Sequence, residues 1–390
     1  DSVTGEITAT NGPTAQHPTQ PSTVTPKDGY RFEKWQQDDL TFFNSDDELR
    51  NSEYLEDQTF IAHFTVRRDL HYEIHYFYED ANSVVTEDKG SAIVSNSGVF
   101  GEKILKTAVA KESEFNGKHY VLERIEGADK QVGLDPKENI VNVYYSIDVI
   151  GKEDPDKPDN IPDKYQITFT YVTADADKGT VTGTTSEVAT TYEITRDSVT
   201  GEIIVGNGPT AQHPTQPSTV TAKAGYKFDK WTDEDQKSFD DDAALKAASY
   251  LEDQTFTAHF TATEQTYRVK YLDEDKNVEI RDMSDPRDAH FGDVIEGYTE
   301  KIEISGYTFV RADDLTVGTD NEQNIVNVYY SEDTNEDDIP DKYQITFTYV
   351  SADANKGTVT GTTKEVVTTY EITRDSVTGE ITATNGPTAQ

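Results

Sequence analysis

The sequence predicts a β-dominated α+β chain built as tandem small domains, beads on a string in an extended rod. Three observations predict it. Long stretches of the chain repeat. The readable segments alternate aromatic or branched residues with polar ones. The composition fits neither one large core nor disorder: apolar residues make up only 34 %, yet there are 22 Tyr and 16 Phe, too many aromatics for an unfolded acidic chain. The formal charge of −39 opposes nucleic acid and anionic membrane surfaces as partners, because both are held mainly by Lys and Arg. Cysteine is absent, which removes disulfides, thiolate metal sites and cysteine nucleophiles. No apolar run reaches the roughly 20 residues of a membrane-spanning helix.

Asp1–Thr25 recurs at Asp197–Thr221 with three changes, and its first 16 residues return unchanged at Asp375–Gln390. Lys164–Ile203 recurs at Lys342–Ile381 with four changes. Two kinds of block therefore alternate. Block A is complete at 165–263, its back part occupies 1–66 and its front part 343–390; block B occupies 70–147 and 266–332. Acidic linkers at 148–164, with Pro155, Pro158 and Pro162, and at 333–342, with Pro340, separate B from the next A. Acidic residues and Pro favour extended, self-repelling conformers, so these linkers are expected to be spacers. The A-to-B junctions Thr65–Leu70 and Thr261–Thr266 are shorter and expected to be stiffer. A chain that opens and closes on the same 16 residues reads as a window of a longer array, and nothing follows from its lack of a signal or anchor.

Within block A, Tyr165–Tyr171 puts Tyr165, Ile167, Phe169 and Tyr171 on one face, the period of a half-buried strand. Lys178-Gly179 marks a turn; Thr180–Thr182 and Thr190–Thr195 read as short strands. Asn207-Gly208-Pro209 and Pro214/Pro217 mark an irregular loop. In Ala224–Trp231, Tyr226 and Phe228 alternate toward a core. Ser238–Tyr250 reads as the single convincing helix, with acidic residues at its start favourable to the dipole. Thr255–Thr261 closes the block with Phe256, Ala258 and Phe260 inward. Block B opens with Tyr267–Tyr271, inward at Tyr267, Val269 and Tyr271, and turns at Asp273–Asn277. It continues through a strand at Gly306–Phe309 and ends on a strand at Ile325–Tyr330. One sheet with little helix fits it.

Block B resembles the mucin-binding-protein (MucBP) repeat of Gram-positive surface proteins, through Tyr267–Asp275, Gly292-Asp293, Ile304–Tyr307 and Ile325–Tyr330. The first copy matches at Tyr72–Tyr76 and Ile140–Tyr145 but departs between Ser95 and Lys118. Block A is similar to the internalin-type B-repeat through Gly225–Trp231 and Thr255–Phe260. The resemblance implies β-grasp (ubiquitin-like) modules in a long, extracellular, cell-wall-anchored adhesin. Such modules serve as a stalk that projects a distal binding domain, or alternatively bind host mucin, other glycans or glycoproteins directly.

Candidate chemistry is sparse. His71 and His75 flank Glu73 on one strand face, as two metal ligands could, but the second copy has Thr266, Arg268 and Lys270 there; a solvated face is the favoured reading and no metal site is assigned. His63, His259, His17 and His213 read as surface residues. Asp333, Asn335, Asp337 and Asp341 have the alternating oxygen donors of a calcium loop but carry Asp338 where the turn glycine belongs, so a solvated acidic spacer is favoured over calcium. No nucleophile elbow, zinc-protease motif or phosphate loop occurs, so no catalytic or cofactor-binding residue is assigned and an enzyme is not expected. Lys and Asn are abundant, but no flanking pattern marks an intramolecular isopeptide bond. Thr255, Thr257 and Tyr329 face outward and could offer sugars a polar aromatic surface, though ordinary β-forming residues on a wet face are the favoured reading. The remaining expected partners are neighbouring repeats of the same polypeptide.

Overall fold

The computed structural model describes residues 2–19, 23–151, 156–215, 217 and 219–390. Strand accounts for 43 % of the chain and helix for 5 %, in many small sheets, so the β-dominated expectation holds. The chain divides into two compact units: Asp1–Phe169 with Ser186–His213 and Ser249–Gln254, and Thr170–Thr185 with Pro214–Ala248 and Thr255–Gln390.

In the first unit, strand Tyr30–Gln37 lies between Phe42–Phe43 and Phe60–Val66, all antiparallel. The ladder slips between Phe32 and Lys34, and this bulge turns Trp35 inward, 6 % exposed. Helix Asp46–Arg50 is only five residues long, capped by Ser45. Its Asp46 carboxylate accepts the Trp35 indole N–H at 2.8 Å. The first B block follows. Its first and last strands, Leu70–Glu79 and Ile140–Ile147, run parallel side by side at the centre of the sheet. Val85–Glu87 and Ile93–Gly98 pair with the outer side of the first, and Lys118–Glu126 pairs with the last. Leu70, Ile74, Tyr78, Leu122, Val141, Val143 and Tyr145 form the core. A two-stranded hairpin, Ile194–Arg196 with Ile203–Val205, completes this unit.

The second unit repeats these arrangements. Strand Tyr226–Thr232 pairs with Ser238–Phe239 and Gln254–Ala262, again with a bulge, between Phe228 and Lys230. The second B block again sets its first and last strands, Glu264–Asp273 and Ile325–Glu332, parallel at the centre, with Tyr307–Ala312 antiparallel beside the last. Its core holds Tyr267, Val269, Tyr271, Phe309, Val326, Val328 and Tyr330. Hairpins Gln344–Thr348/Lys364–Thr368 and Glu371–Arg374/Ile381–Thr384 follow.

The inward patterns Phe256/Ala258/Phe260 and Tyr267/Val269/Tyr271 are both buried as expected. Several expectations need correction. The helix expected over Ser238–Tyr250 is Asp242–Lys246, and it has a counterpart at Asp46–Arg50. Ser238-Phe239 is drawn off as a strand against Trp231 and Thr232, and Asp241 caps the helix by accepting the Ala244 N–H at 2.8 Å. Tyr226 and Phe228 are half-buried; the bulge hands the innermost place to Trp231, 0 % exposed. The strand expected over Thr190–Thr195 breaks after Thr190, because the Thr191 N–H and hydroxyl both donate to the Tyr165 carbonyl, at 2.9 and 3.0 Å.

The acidic linkers, expected to be extended, fold back on themselves. In the first, buried Asp148 accepts the N–H groups of Asp159 and Asn160, and Asp163 accepts those of Val149 and Ile150. Residues 152–155, Pro155 among them, lie outside the described residues. In the second, Asp333 accepts the N–H groups of Asp337 and Asp338. The A-to-B junctions are pinned in the same way twice. Arg67 N–H donates to Gly29 O and Arg67 O accepts from Phe100, at 2.9 and 3.0 Å; Thr263 repeats both bonds with Gly225 and Phe291 at the same lengths. At both junctions the glycine has positive φ and lies under the phenylalanine ring, where a Cβ would come within 2.1 Å (Gly29) or 2.4 Å (Gly225) of ring carbon.

Candidate functional site

A concavity lies on the first B block. Its floor is the sheet face carrying Tyr72, Ile74, Tyr76 and Tyr145, and segment 104–110 walls it, enclosing about 480 Å³. Side-chain alternation along Leu70–Glu79 brings Tyr72, Tyr76 and Tyr78 to one face. The wall is tied down by tyrosine hydroxyls: Tyr145 donates to Ala110 O at 2.8 Å, and Tyr78 bonds the Ser113 hydroxyl at 2.8 Å. Burial pushes the Tyr76 and Tyr145 phenols upward, so both stay neutral donors. Lys106 on the rim is paired with Glu102 at 2.6 Å. The groove thus has an aromatic floor, and the charge of Lys106 on its rim is neutralised by Glu102. Its shape and lining suit a neutral ring or hydroxyl-bearing group.

In the second B block the same face is filled. Tyr330 OH donates to Ile302 O and accepts from Ile302 N–H, at 2.9 and 2.8 Å, and burial pushes its ionisation up to about 12. Tyr267 OH donates to Glu300, which also takes Arg287. Sequence reasoning did not find the groove. Its signal was the departure between Ser95 and Lys118, because that segment supplies the wall.

The residues singled out from sequence fall as follows. Glu73 bridges both histidines, one carboxylate oxygen 2.7 Å from His71 Nε2 and the other 2.7 Å from His75 Nε2. The remaining ring nitrogens meet Asn96 and Glu87 at 2.9 and 2.6 Å. The hydrogen bond to Glu73 raises the His71 pKa; for His75, desolvation lowers it but the bonds to Glu87 and Glu73 win and it too is raised, while Glu73 is lowered by both rings. His17 meets Ser52 O, His63 meets Gln36 and His259 meets Thr232; His213 sits in its loop as expected.

Asp333, Asn335, Asp337 and Asp341 share one turn, but their side chains are spent within it. Besides Asp333's two backbone bonds, Asn335 donates to Asp337, and Asp341 accepts from Thr334. Among the described residues no group of three or more His, Cys, Asp or Glu side chains is arranged to hold a metal ion. Tyr329 is not an open platform: Arg311 lies 3.8 Å over its ring and Asp313 accepts its hydroxyl. Tyr144 is covered likewise by Arg124 at 3.8 Å. Thr255 and Thr257 are half-buried. Lys164 and Lys342 pair with carboxylates, Glu79 and Glu123 for the first, Glu274 and Asp275 for the second.

Residues 2–67 match the family model of the divergent InlB B-repeat domain. Over this stretch the chain is B-repeat-like. At a spacing of 196 residues, the bulge, the buried Trp and the capped helix of this stretch recur between Tyr226 and Ala262. B-repeat domains occur in surface proteins, and no helix among the described residues is long and apolar enough to cross a membrane. A comparison with curated proteins finds no match.

Proposed function

We propose that the chain is a repetitive stalk segment of a Gram-positive, cell-wall-anchored adhesin, holding a distal binding domain away from the wall. The observation that carries this reading is repetition of the joints as well as of the domains. Arg67 and Thr263 make the same two backbone bonds at the two A-to-B junctions, and Asp148 and Asp333 pin the two B-to-A turns. A stalk needs a fixed geometry at every joint; a set of independent binding modules does not. We read the B blocks as β-grasp modules, since a parallel central pair made from the first and last strands is flanked by antiparallel ones. The charge of −39 keeps neighbouring stalks soluble and mutually repelling. No catalytic role is proposed. Small-angle scattering of the whole chain tests the reading: an elongated particle is expected, and a compact one with the dimensions of a single 390-residue globule overturns it.

A second reading is favoured by the tyrosine groove of the first B block, a neutral aromatic surface suited to sugar rings on mucin-type or other glycans. Glycan-array binding by the whole chain, lost on Tyr76→Ala, supports it; no binding at millimolar glycan leaves the stalk alone.

A further inference from the structure

Each B block leaves one strand edge open, and the same seven-residue sequence closes it both times. Strand Lys118–Glu126 is paired along one side with Ile140–Ile147, but on the other side Glu112–Phe115 reaches only to Val121. Tyr307–Ala312 pairs along its length with Ile325–Glu332, and among the described residues its other backbone bridge is the single one from Tyr307 to Ile304. Open edges invite pairing with other chains, and native proteins cover them.

The cover here is the hairpin whose turn reads Arg-Asp-Ser-Val-Thr-Gly-Glu, at Arg196–Glu202 and Arg374–Glu380. In the first copy Arg196 Nη1 donates to Leu122 O at 3.0 Å and Nη2 to Asn160 O at 2.7 Å, while Glu202 Oε1 accepts the Ile125 N–H at 2.6 Å. In the second, Arg374 Nη1 donates to Phe309 O at 3.5 Å and Nη2 to Asp338 O at 2.7 Å, while Glu380 Oε1 accepts the Ala312 N–H at 3.2 Å. Leu122 and Phe309 precede the bulge in their strands, and Ile125 and Ala312 follow it, so the two clamps grip equivalent backbone groups. Each arginine also holds its own turn, donating to Gly201 O at 2.8 Å or Gly379 O at 2.9 Å. Those glycines have φ of +79° and +78°, which a side chain would strain. The third anchor is the linker: Asn160 and Asp338 both have positive φ, and their N–H groups are held by buried Asp148 and Asp333.

We propose that this hairpin is a dedicated cap for the edge of the preceding B block, so that each B block folds together with the head of the block behind it. The cooperative unit of the array is then out of phase with its sequence blocks. The first compact unit has this phase, since it takes residues 186–213 together with the first B block and leaves residues 214–248 to the second. This inference stands on the clamp geometry and holds whether or not the chain is a stalk.

Amide hydrogen exchange on the whole chain tests it. In R196A/E202A, protection across 118–126 and 140–147 should fall together by about tenfold or more, with the second B block unchanged; R374A/E380A should give the reciprocal pattern. Arg196→Lys keeps the charge but cannot reach three carbonyls from one planar fork, so it should show the same pattern at smaller amplitude. Loss confined to the Ile125 amide, or protection of 140–147 within about twofold of the parent, would overturn the proposal.

Discussion

Gln166–Val172 and Gln344–Val350 have the same sequence and opposite fates. In the first copy Ile167, Phe169 and Tyr171 are 5, 0 and 2 % exposed; in the second Ile345, Phe347 and Tyr349 are 39, 37 and 48 % exposed. Tyr171 packs on Trp231 and Phe256, with ring centroids 5.8 and 5.6 Å apart, and Phe169 on Tyr250 at 6.0 Å. These partners lie at residues 231–256. The alternation is therefore a capacity for burial, and in the first copy it is chain some 60 to 85 residues further on that covers it.

The largest expected contrast is between Phe169→Ala and Phe347→Ala. The first should cost about 3–5 kcal/mol, as for other fully buried aromatics. The second should stay within about 1 kcal/mol. Denaturant unfolding followed by tryptophan fluorescence and by segment-resolved hydrogen exchange reads both. Equal costs would break the comparison.

The next effect sharpens it at the junctions. Gly225→Ala would drive a Cβ into the Phe291 ring at a residue with φ of +87°, and should destabilise by about 1–3 kcal/mol. At Gly292, which has positive φ but nothing within 4 Å, the same change should cost only the backbone strain. Thermal unfolding of the two variants separates crowding from conformation.

A pH effect follows from Asp148, whose burial raises its pKa to about 6 against the combined pull of the Asp159 and Asn160 N–H groups. Its folded pKa lies above the unfolded value of 3.8, so the folded state holds the extra proton between these values. Stability should therefore fall as pH rises from about 4 to about 6, and Asp148→Asn should flatten that slope. Melting temperatures at pH 4, 5, 6 and 7 check it. An identical slope in both proteins would remove Asp148 as the cause.

The smallest effect concerns Glu73. Both His71 and His75 have raised pKa values, so their pairing stabilises the fold below the ordinary histidine value and is lost as pH rises through the raised ones. Glu73→Gln should move both histidines downward in an NMR titration with little change in stability. If neither moved, the bridging hydrogen bonds would not form in solution.

Much of the local structure was legible in the residues. Phe256/Ala258/Phe260 and Tyr267/Val269/Tyr271 obey a period of two and are buried on that period. The register slip before Lys230 was not legible, because Asp229 gives no local sign that the alternation breaks and Trp231 takes the inward place. The helix read over Ser238–Tyr250 shrank to five residues because Ser238-Phe239 found a strand partner, an event set by Trp231 rather than by helix propensity. The departure between Ser95 and Lys118 did not by itself reveal the groove, because the wall, 104–110, has no periodic signature and is held by distant groups, the Lys130 carbonyl on Ile104 and the Tyr145 hydroxyl on Ala110.

The repeats, the alternating faces and the turn chemistry were determined by the sequence alone, since each depends on residues a few positions apart and on the two-residue period of a strand. Which face is covered, which edge is closed and which acidic side chain is buried were decided only in three dimensions. Arg196, Glu202 and Asp148 all engage main-chain groups, and a carbonyl or an amide looks the same at every position of a sequence until the fold brings one within reach.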